Sequence, residues 1–464
     1  MNGRVLGIEL RRSAAPWAGA VIAGGALAFL HLIDGMWWNG TARWTAQWTP
    51  MALTTRAMLF YLWPVAVGIG ALQGLRDSRS RMTELLTTTP RPAWSRAALP
   101  AGATAITLAA GFGLLVLWGG VQVALGPTAY PHLGWLPISL VGALALVAGA
   151  LFGMGVARAL PSALTPPALV IAALAATVLL ARHADDRLPS GLAPNRLSLL
   201  SPATPEPRQV LLTLSGTAHL GQTLWLLGLL ATGFALLVAA APRTRLLATV
   251  PVLAGAALAL LVLPAHARET YVVDRTAAAP VCDGPVCVAR IHQSRLPGLA
   301  PRGKEALRVL RDALGDRAPD AVREETALRA TGEKRALPGD TVLVSFDDPL
   351  IAGADGERLT RVLVAQGLAP HCYPRSARES GTQYEVVVQS VAASWALGES
   401  GMKPLEKPAA DEYSRKAWQE AEVAWQRLTA LPPGEQRARM ARVRGAALSC
   451  SYDQLDILKG ETSR

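Results

Sequence analysis

GATAITLAAGFGLLVLWGGVQVAL (residues 102–125) runs for 24 residues without a charge, and LPISLVGALALVAGALFGMGV (residues 136–156) does the same after a gap of ten. A helix rises about 1.5 Å per residue, so each run is long enough to cross about 30 Å of hydrocarbon. Five further apolar runs lie at 15–33, 51–72, 166–181, 224–240 and 246–263. About seven transmembrane helices are therefore predicted. The shortest, 166–181, opens with Pro166-Pro167, which suits a helix start, where the missing N–H has no intrahelical partner anyway.

Composition divides the chain in two. Overall it is 51% hydrophobic and 17% charged, too apolar for an ordinary soluble protein of 464 residues. Residues 1–265 carry 17 arginines, no lysine and seven acidic residues, whereas 266–464 carry 28 basic and 27 acidic residues. The excess charge thus belongs to the apolar half. It is not a basic patch on a soluble domain, which excludes nucleic acid as a partner. The expected architecture is an α-helical polytopic membrane bundle over 1–265, followed by a C-terminal α+β soluble domain over 266–464.

With the N-terminus inside, the predicted inner loops collect eleven arginines and the outer loops five, as the positive-inside rule requires. An odd number of spans then puts the C-terminal domain outside. The first apolar run is long for a signal peptide and is read as a retained helix. Trp37, Trp38, Trp44 and Trp48 cluster in the first outer loop and are expected to lie along the membrane surface. The span interiors hold no Asp, Glu or Lys. His31 and Arg56 fall near outer ends, where snorkelling is cheap. This disfavours an ion-coupled carrier, which needs ionisable groups at mid-membrane.

All four cysteines, Cys282, Cys287, Cys372 and Cys450, lie in the charged C-terminal part. An even number confined to one soluble domain suits disulfides in an oxidising compartment, in agreement with the arginine count. Three connectivities are open. Cys282 and Cys287 can close on themselves around Gly284-Pro285, which would leave Cys372 to Cys450. Residues 285–291 and 341–346 read as strands, and 303–314, 356–366, 411–428 and 433–448 as helices. Residues 384–397 are β-branched at first and then helical in spacing. His292 and His371 stand alone in the sequence, and Asp347-Asp348 reads as a turn after a strand. Neither a nucleophile-elbow sequence nor a phosphate-binding loop occurs, so no catalytic, cofactor or metal residues are assigned and the chain is not expected to be an enzyme.

The inner loop at 75–96, LRDSRSRMTELLTTTPRPAWSR, supports a short helix over about 80–87, stopped by Pro90 and Pro92. With the amphipathic stretch at 6–12, it resembles ABC-2-type transporter permeases, in particular the bacterial ones with an R-x-x-E-L-L-x-x-x-P-R loop, here Arg81, Glu84, Leu85, Leu86, Pro90 and Arg91. The resemblance covers residues 3–245. It implies an interfacial elbow helix at the N-terminus and a loop that docks into an ATPase. It further implies a permease subunit in the bacterial cytoplasmic membrane, with ATP and Mg bound by a separate ABC ATPase and a second permease copy or paralogue completing a dimer. A seventh span that exports a C-terminal domain departs from the family's usual six. The competing reading is a membrane-anchored receptor, sensor or enzyme whose activity lies outside, although an anchor alone needs only one helix.

Overall fold

The structure is a computed structural model describing residues 15–33, 35–38, 43–76, 92–126, 130–182, 184–188, 191–203, 209–328, 337–372, 383–451 and 453–461. The amphipathic start at 6–12 and the loop helix at 80–87 lie outside the described residues.

The apolar half is helical: α1 (Ala15–Leu32), α2 (Trp48–Ala57), α3 (Leu59–Gly74), α4 (Ala93–Ala124), α5 (Trp135–Ala159), α6 (Thr165–Ala181), α7 (Gly216–Val238), α8 (Pro242–Leu247) and α9 (Val250–Val262). Among the described residues, five units are long and apolar enough to cross a membrane: α1, α4, α5, α7 and Pro242–Val262, which takes in α8 and α9. The run at 51–72 is not one straight helix. It is the pair α2 and α3, bent by 48°, which makes a sixth if taken as one broken span. Helix α6, with 17 residues, falls just short. The outward faces are apolar, with Leu117 63% and Leu261 79% exposed, a surface that water would not tolerate over such an area.

Small residues bring the helices together. Added Cβ atoms at Gly70 and Gly74 of α3 would press into the backbone of Ala150 and Met154 in α5, and one at Gly153 of α5 would press into Val67. Gly155 and Gly233 join α5 to α7 in the same way. This backbone-to-backbone approach is how helices pack in an apolar solvent, where hydrophobicity does not drive them together. Trp63 of α3 adds a hydrogen bond from Nε1 to the Ala145 carbonyl, 3.1 Å.

The short strands between and after the apolar helices are built jointly from both halves of the chain. Strands β1 (Ala184–Leu188) and β2 (Gly191–Pro194) pair with each other, while β3 (Leu212–Leu214) pairs antiparallel with β4 (Tyr271–Val273) across the last apolar helix. Thr270 Oγ1 donates to the Pro194 carbonyl at 2.9 Å, and Arg196 Nε to that of Leu263 at 3.2 Å. The charged domain therefore does not hang on a tether.

Beyond β4 comes a four-stranded sheet, β5 (Pro280–Asp283), β6 (Val286–Ala289), β7 (Ala321–Glu324) and β8 (Thr341–Val344), in that order. β5 and β6 form a hairpin whose turn needs Gly284 at φ +61°, a left-handed conformation that glycine adopts without strain. β6, β7 and β8 are parallel. Helices α10 (Leu296–Leu314), α11 (Pro349–Ala352), α12 (Gly356–Leu368), α13 (Gln383–Ala396), α14 (Glu412–Thr429), α15 (Pro433–Leu448) and α16 (Gln454–Lys459) complete the domain. The helices at 356–366, 411–428 and 433–448 are found where expected, and β6 and β8 lie within the expected strands at 285–291 and 341–346, the first ending where a 3-10 helix begins at Arg290. Helix α10 starts seven residues earlier than the pattern at 303–314, since Pro297 takes its first turn. The ambiguous segment is the helix α13. It looked strand-like because Val386, Val387, Val388, Val391, Ala392 and Ala393 are all buried, which erases a polar face.

Both disulfides close within the charged domain, Cys282–Cys287 and Cys372–Cys450. The first joins residues directly opposed in the β5–β6 hairpin. The second spans 78 residues and fastens the segment after α12 to the end of α15. Each bridge is expected to contribute about 2–4 kcal/mol, and the long one more than the short one, because loop-closure entropy grows with loop length. Cys372→Ala/Cys450→Ala should thus lower the domain's unfolding midpoint clearly more than Cys282→Ala/Cys287→Ala, measured by chemical denaturation; equal losses would contradict this.

Candidate functional site

Helix α2 opens at Trp48 and buries every residue from Thr49 to Arg56, although half of these are polar. Thr54 and Thr55 turn their hydroxyls back onto the Pro50 and Ala52 carbonyls, 2.8 and 2.9 Å away. Arg56 cannot do the same. It does not snorkel outward as expected but is 0% exposed. The bend places it against α7 and the segment before β3, because the two halves pack on different partners. α3 lies along α5, whereas Ala52 and Leu53 of α2 pack with Leu212, Leu214 and Tyr271 of the β3–β4 pair.

Around the guanidinium, Nε donates to the Pro202 carbonyl at 3.3 Å and Nη2 to Gln222 Oε1 at 2.7 Å. Gln222 is held in turn by its Nε2 on the Leu199 carbonyl, 2.9 Å. Both partners of Arg56 among the described residues are neutral oxygens. Nη1 is buried with no hydrogen-bond partner among the described residues, and so is Nδ1 of His219. His219 precedes Gln222 by three residues, so the two share one face of α7. His219 and Tyr271 both lie within electrostatic range of Arg56. The arrangement is a buried cationic node where a broken helix, a core helix and the β3–β4 pair meet.

The tryptophan loop also differs from expectation. Trp44 is wholly buried rather than laid along the surface, and Trp48 stacks on Trp135 with ring centroids 5.5 Å apart. Trp118 Nε1 donates to His31 Nε2 at 3.2 Å, and Trp38 packs edge-on against Trp44 at 5.6 Å. These indoles fill space between α1, α4 and α5, which their bulk does better than any surface role.

A second polar group sits at the carboxyl ends of the parallel strands, the edge where sheets of this kind offer sites. His292, just after β6, places Nδ1 2.7 Å from Glu324 Oε1 at the end of β7. Glu324 Oε2 accepts from the Ala289 backbone N–H at 2.7 Å. Phe346, following β8, lies against the imidazole at 4.7 Å, and the Arg295 guanidinium stands over the Phe346 ring, 5.2 Å from its centre. His292, which stands alone in the sequence, is thus paired in space. Asp348 caps α11 by accepting from Leu350 N at 2.9 Å, the turn role expected for it.

Of the residues singled out from the sequence, the four cysteines pair as described. Arg81, Glu84, Leu85, Leu86, Pro90 and Arg91 lie outside the described residues, between the ends of α3 and α4. Gln222 and His219 escaped the sequence reading, which began the span at residue 224. A lone arginine inside an apolar run was the signal that something polar must face it. No family model, curated protein or solved structure matches the chain.

Proposed function

We propose that this chain is the membrane subunit of an ATP-driven ABC-2-type transporter, and that it passes work from a separate cytoplasmic ATPase to its outer domain. The observation that carries this reading is the buried cluster that joins α2 to the β3–β4 pair: Leu53, on a half-helix of the bundle, shares it with Tyr271 and Leu214. A movement of α3 at its inner end would reach the outer domain through a short, rigid path. An anchor needs no such path. On this reading the bundle crosses the bacterial cytoplasmic membrane with its N-terminus inside and the cysteine-bearing domain outside. ATP and Mg are bound by the partner, and a second permease copy or paralogue completes the pathway. A receptor or enzyme reading draws instead on the His292–Glu324 pair.

Reporters fused at Arg464 and near Arg91 test the topology: the first is expected to be active only outside the cytoplasm and the second only inside. A cytoplasmic Arg464 would remove the outer domain from the proposal.

Glu84 and Leu85 test the coupling. An exposed ion pair within the loop is worth only about 0.2–0.5 kcal/mol, too little to affect folding. Truncating a carboxylate in a desolvated subunit interface costs about 2–5 kcal/mol of association. Glu84→Ala and Leu85→Asp are therefore expected to leave membrane abundance unchanged while reducing recovery of the ATPase and its stimulated hydrolysis. If neither quantity changes, the receptor or anchored-enzyme reading replaces this one.

A further inference from the structure

The geometry points to Arg56 and His219 as an anion-binding site for a phosphate ester, set in the outer part of the helical bundle. The inference rests on the bundle lying in a bilayer in the orientation proposed above, but not on any coupling to an ATPase.

Three independent features coincide at one place. The first is a charge with no anion beside it among the described residues: Arg56 is fully buried, and its two described partners are neutral oxygens. A buried cation without an anion is costly, and an ionisable group among membrane helices is a functional position by default. The second is unused donor capacity. Nη1 of Arg56 and Nδ1 of His219 are both buried without partners among the described residues. Gln222 fixes the guanidinium by Nη2, so the Nη1 edge is oriented and remains free. The third is the backbone: the chain bends by 48° immediately after Arg56. Broken helices in membranes mark ligand sites, because irregular backbone at that depth is tolerated only where protein or a polar cavity satisfies it.

The chemistry narrows the ligand. A planar guanidinium with a free N–H edge matches a phosphate oxygen, and an imidazole nitrogen nearby supplies a second donor when it carries its proton there. Depth narrows the source. Gln222 lies seven residues inside the N-cap Ser215, about 10 Å along α7. With the start of α7 at the outer surface, as in the topology proposed above, this places Gln222 near the boundary of headgroup and hydrocarbon. The phosphate of an anionic lipid and free phosphate share this chemistry, and the experiment separates them.

Full-length protein is delipidated in detergent and offered phosphatidylglycerol, phosphatidylcholine or inorganic phosphate. Native mass spectrometry reads the retained lipid, and thermal unfolding reads the midpoint. Wild type is expected to retain phosphatidylglycerol over phosphatidylcholine by about tenfold and to gain midpoint with it. Arg56→Gln removes the charge and keeps hydrogen-bonding capacity. It is expected to bring the ratio to about one while leaving the lipid-free midpoint no lower than wild type, since it relieves an unbalanced charge. His219→Ala is expected to reduce the preference by a smaller factor and serves if Arg56→Gln does not fold. Displacement of retained lipid by inorganic phosphate would show that the free ion suffices; no displacement assigns the site to the lipid. Equal retention of both lipids by wild type overturns the proposal, as does an undiminished preference in Arg56→Gln. A lower lipid-free midpoint in Arg56→Gln, with no lipid selectivity in wild type, would leave Arg56 as a structural strut.

Discussion

Gly153→Leu is expected to eliminate the folded bundle. Gly153 faces α3, and a Cβ there would press into the Val67 carbonyl and the Ala71 backbone N. Neither is the end of a flexible side chain, so neither can turn aside. α5 would have to move off α3, breaking the approach made by Gly70 and Gly74 on the same seam. Overpacking usually costs about 1–3 kcal/mol where side chains can yield, and more where only backbone can. In a membrane there is little to repay it, since lipid solvates a separated helix as well as its neighbour did. The comparison is Gly113→Leu in α4, where an added Cβ meets nothing within 4 Å. Gly113→Leu is expected to match wild type in the amount of monodisperse protein extracted from membranes, and Gly153→Leu to give almost none. Equal yields would mean that α3 and α5 do not pack through this seam.

Arg361→Ala is expected to destabilise the charged C-terminal domain by about 3–5 kcal/mol, the range for removing one partner of a buried ion pair. Arg361 lies on α12, only 9% exposed. Its Nη1 donates to Glu399 Oε2 at 2.6 Å, and its Nη2 to Ser394 Oγ at 2.7 Å and to the Lys403 carbonyl. One side chain thus ties the turn after α13 to α12. Its loss leaves Glu399 with Lys403, whose own side chain is 69% exposed and holds little. Burial alone would raise the Glu399 carboxyl, but the hydrogen bonds from Arg361, Lys403 and Ser394 together hold it below its ordinary range. A carboxylate depressed by folding stabilises above its unfolded pKa, near 4.3, and that contribution disappears as pH falls through the folded value. The domain should therefore hold its stability at neutral pH and lose it below about pH 4, with Glu399→Gln showing a shallower acid loss from a lower starting point. Amide hydrogen exchange over Gly356–Leu368 in the full chain reads both effects. An Arg361→Ala protein with wild-type protection would show that the clasp does not hold α12.

Much of the architecture is local and therefore legible in the sequence. An uncharged run of 24 residues specifies a helix that water will not solvate, whatever lies around it. The partition of charge at residue 265, the confinement of cysteines beyond it, and the apolar periodicities at 356–366, 411–428 and 433–448 are likewise properties of short windows. The segment at 384–397 marks where this ends: a helix buried on all sides loses the polar face that would identify it. What the tertiary structure alone decided depends on partners far along the chain. Arg56 is turned inward because Gln222, 166 residues away, accepts from it. The 51–72 run breaks because its two halves answer to different neighbours, the β3–β4 pair and α5. Cys372 meets Cys450, among three connectivities open to the sequence, because α15 packs back toward α12, with Arg444 donating from Nε to the Gly367 carbonyl at 2.9 Å. Hydropathy measures how one segment prefers its solvent; which polar group meets which is set only when the segments share the same space.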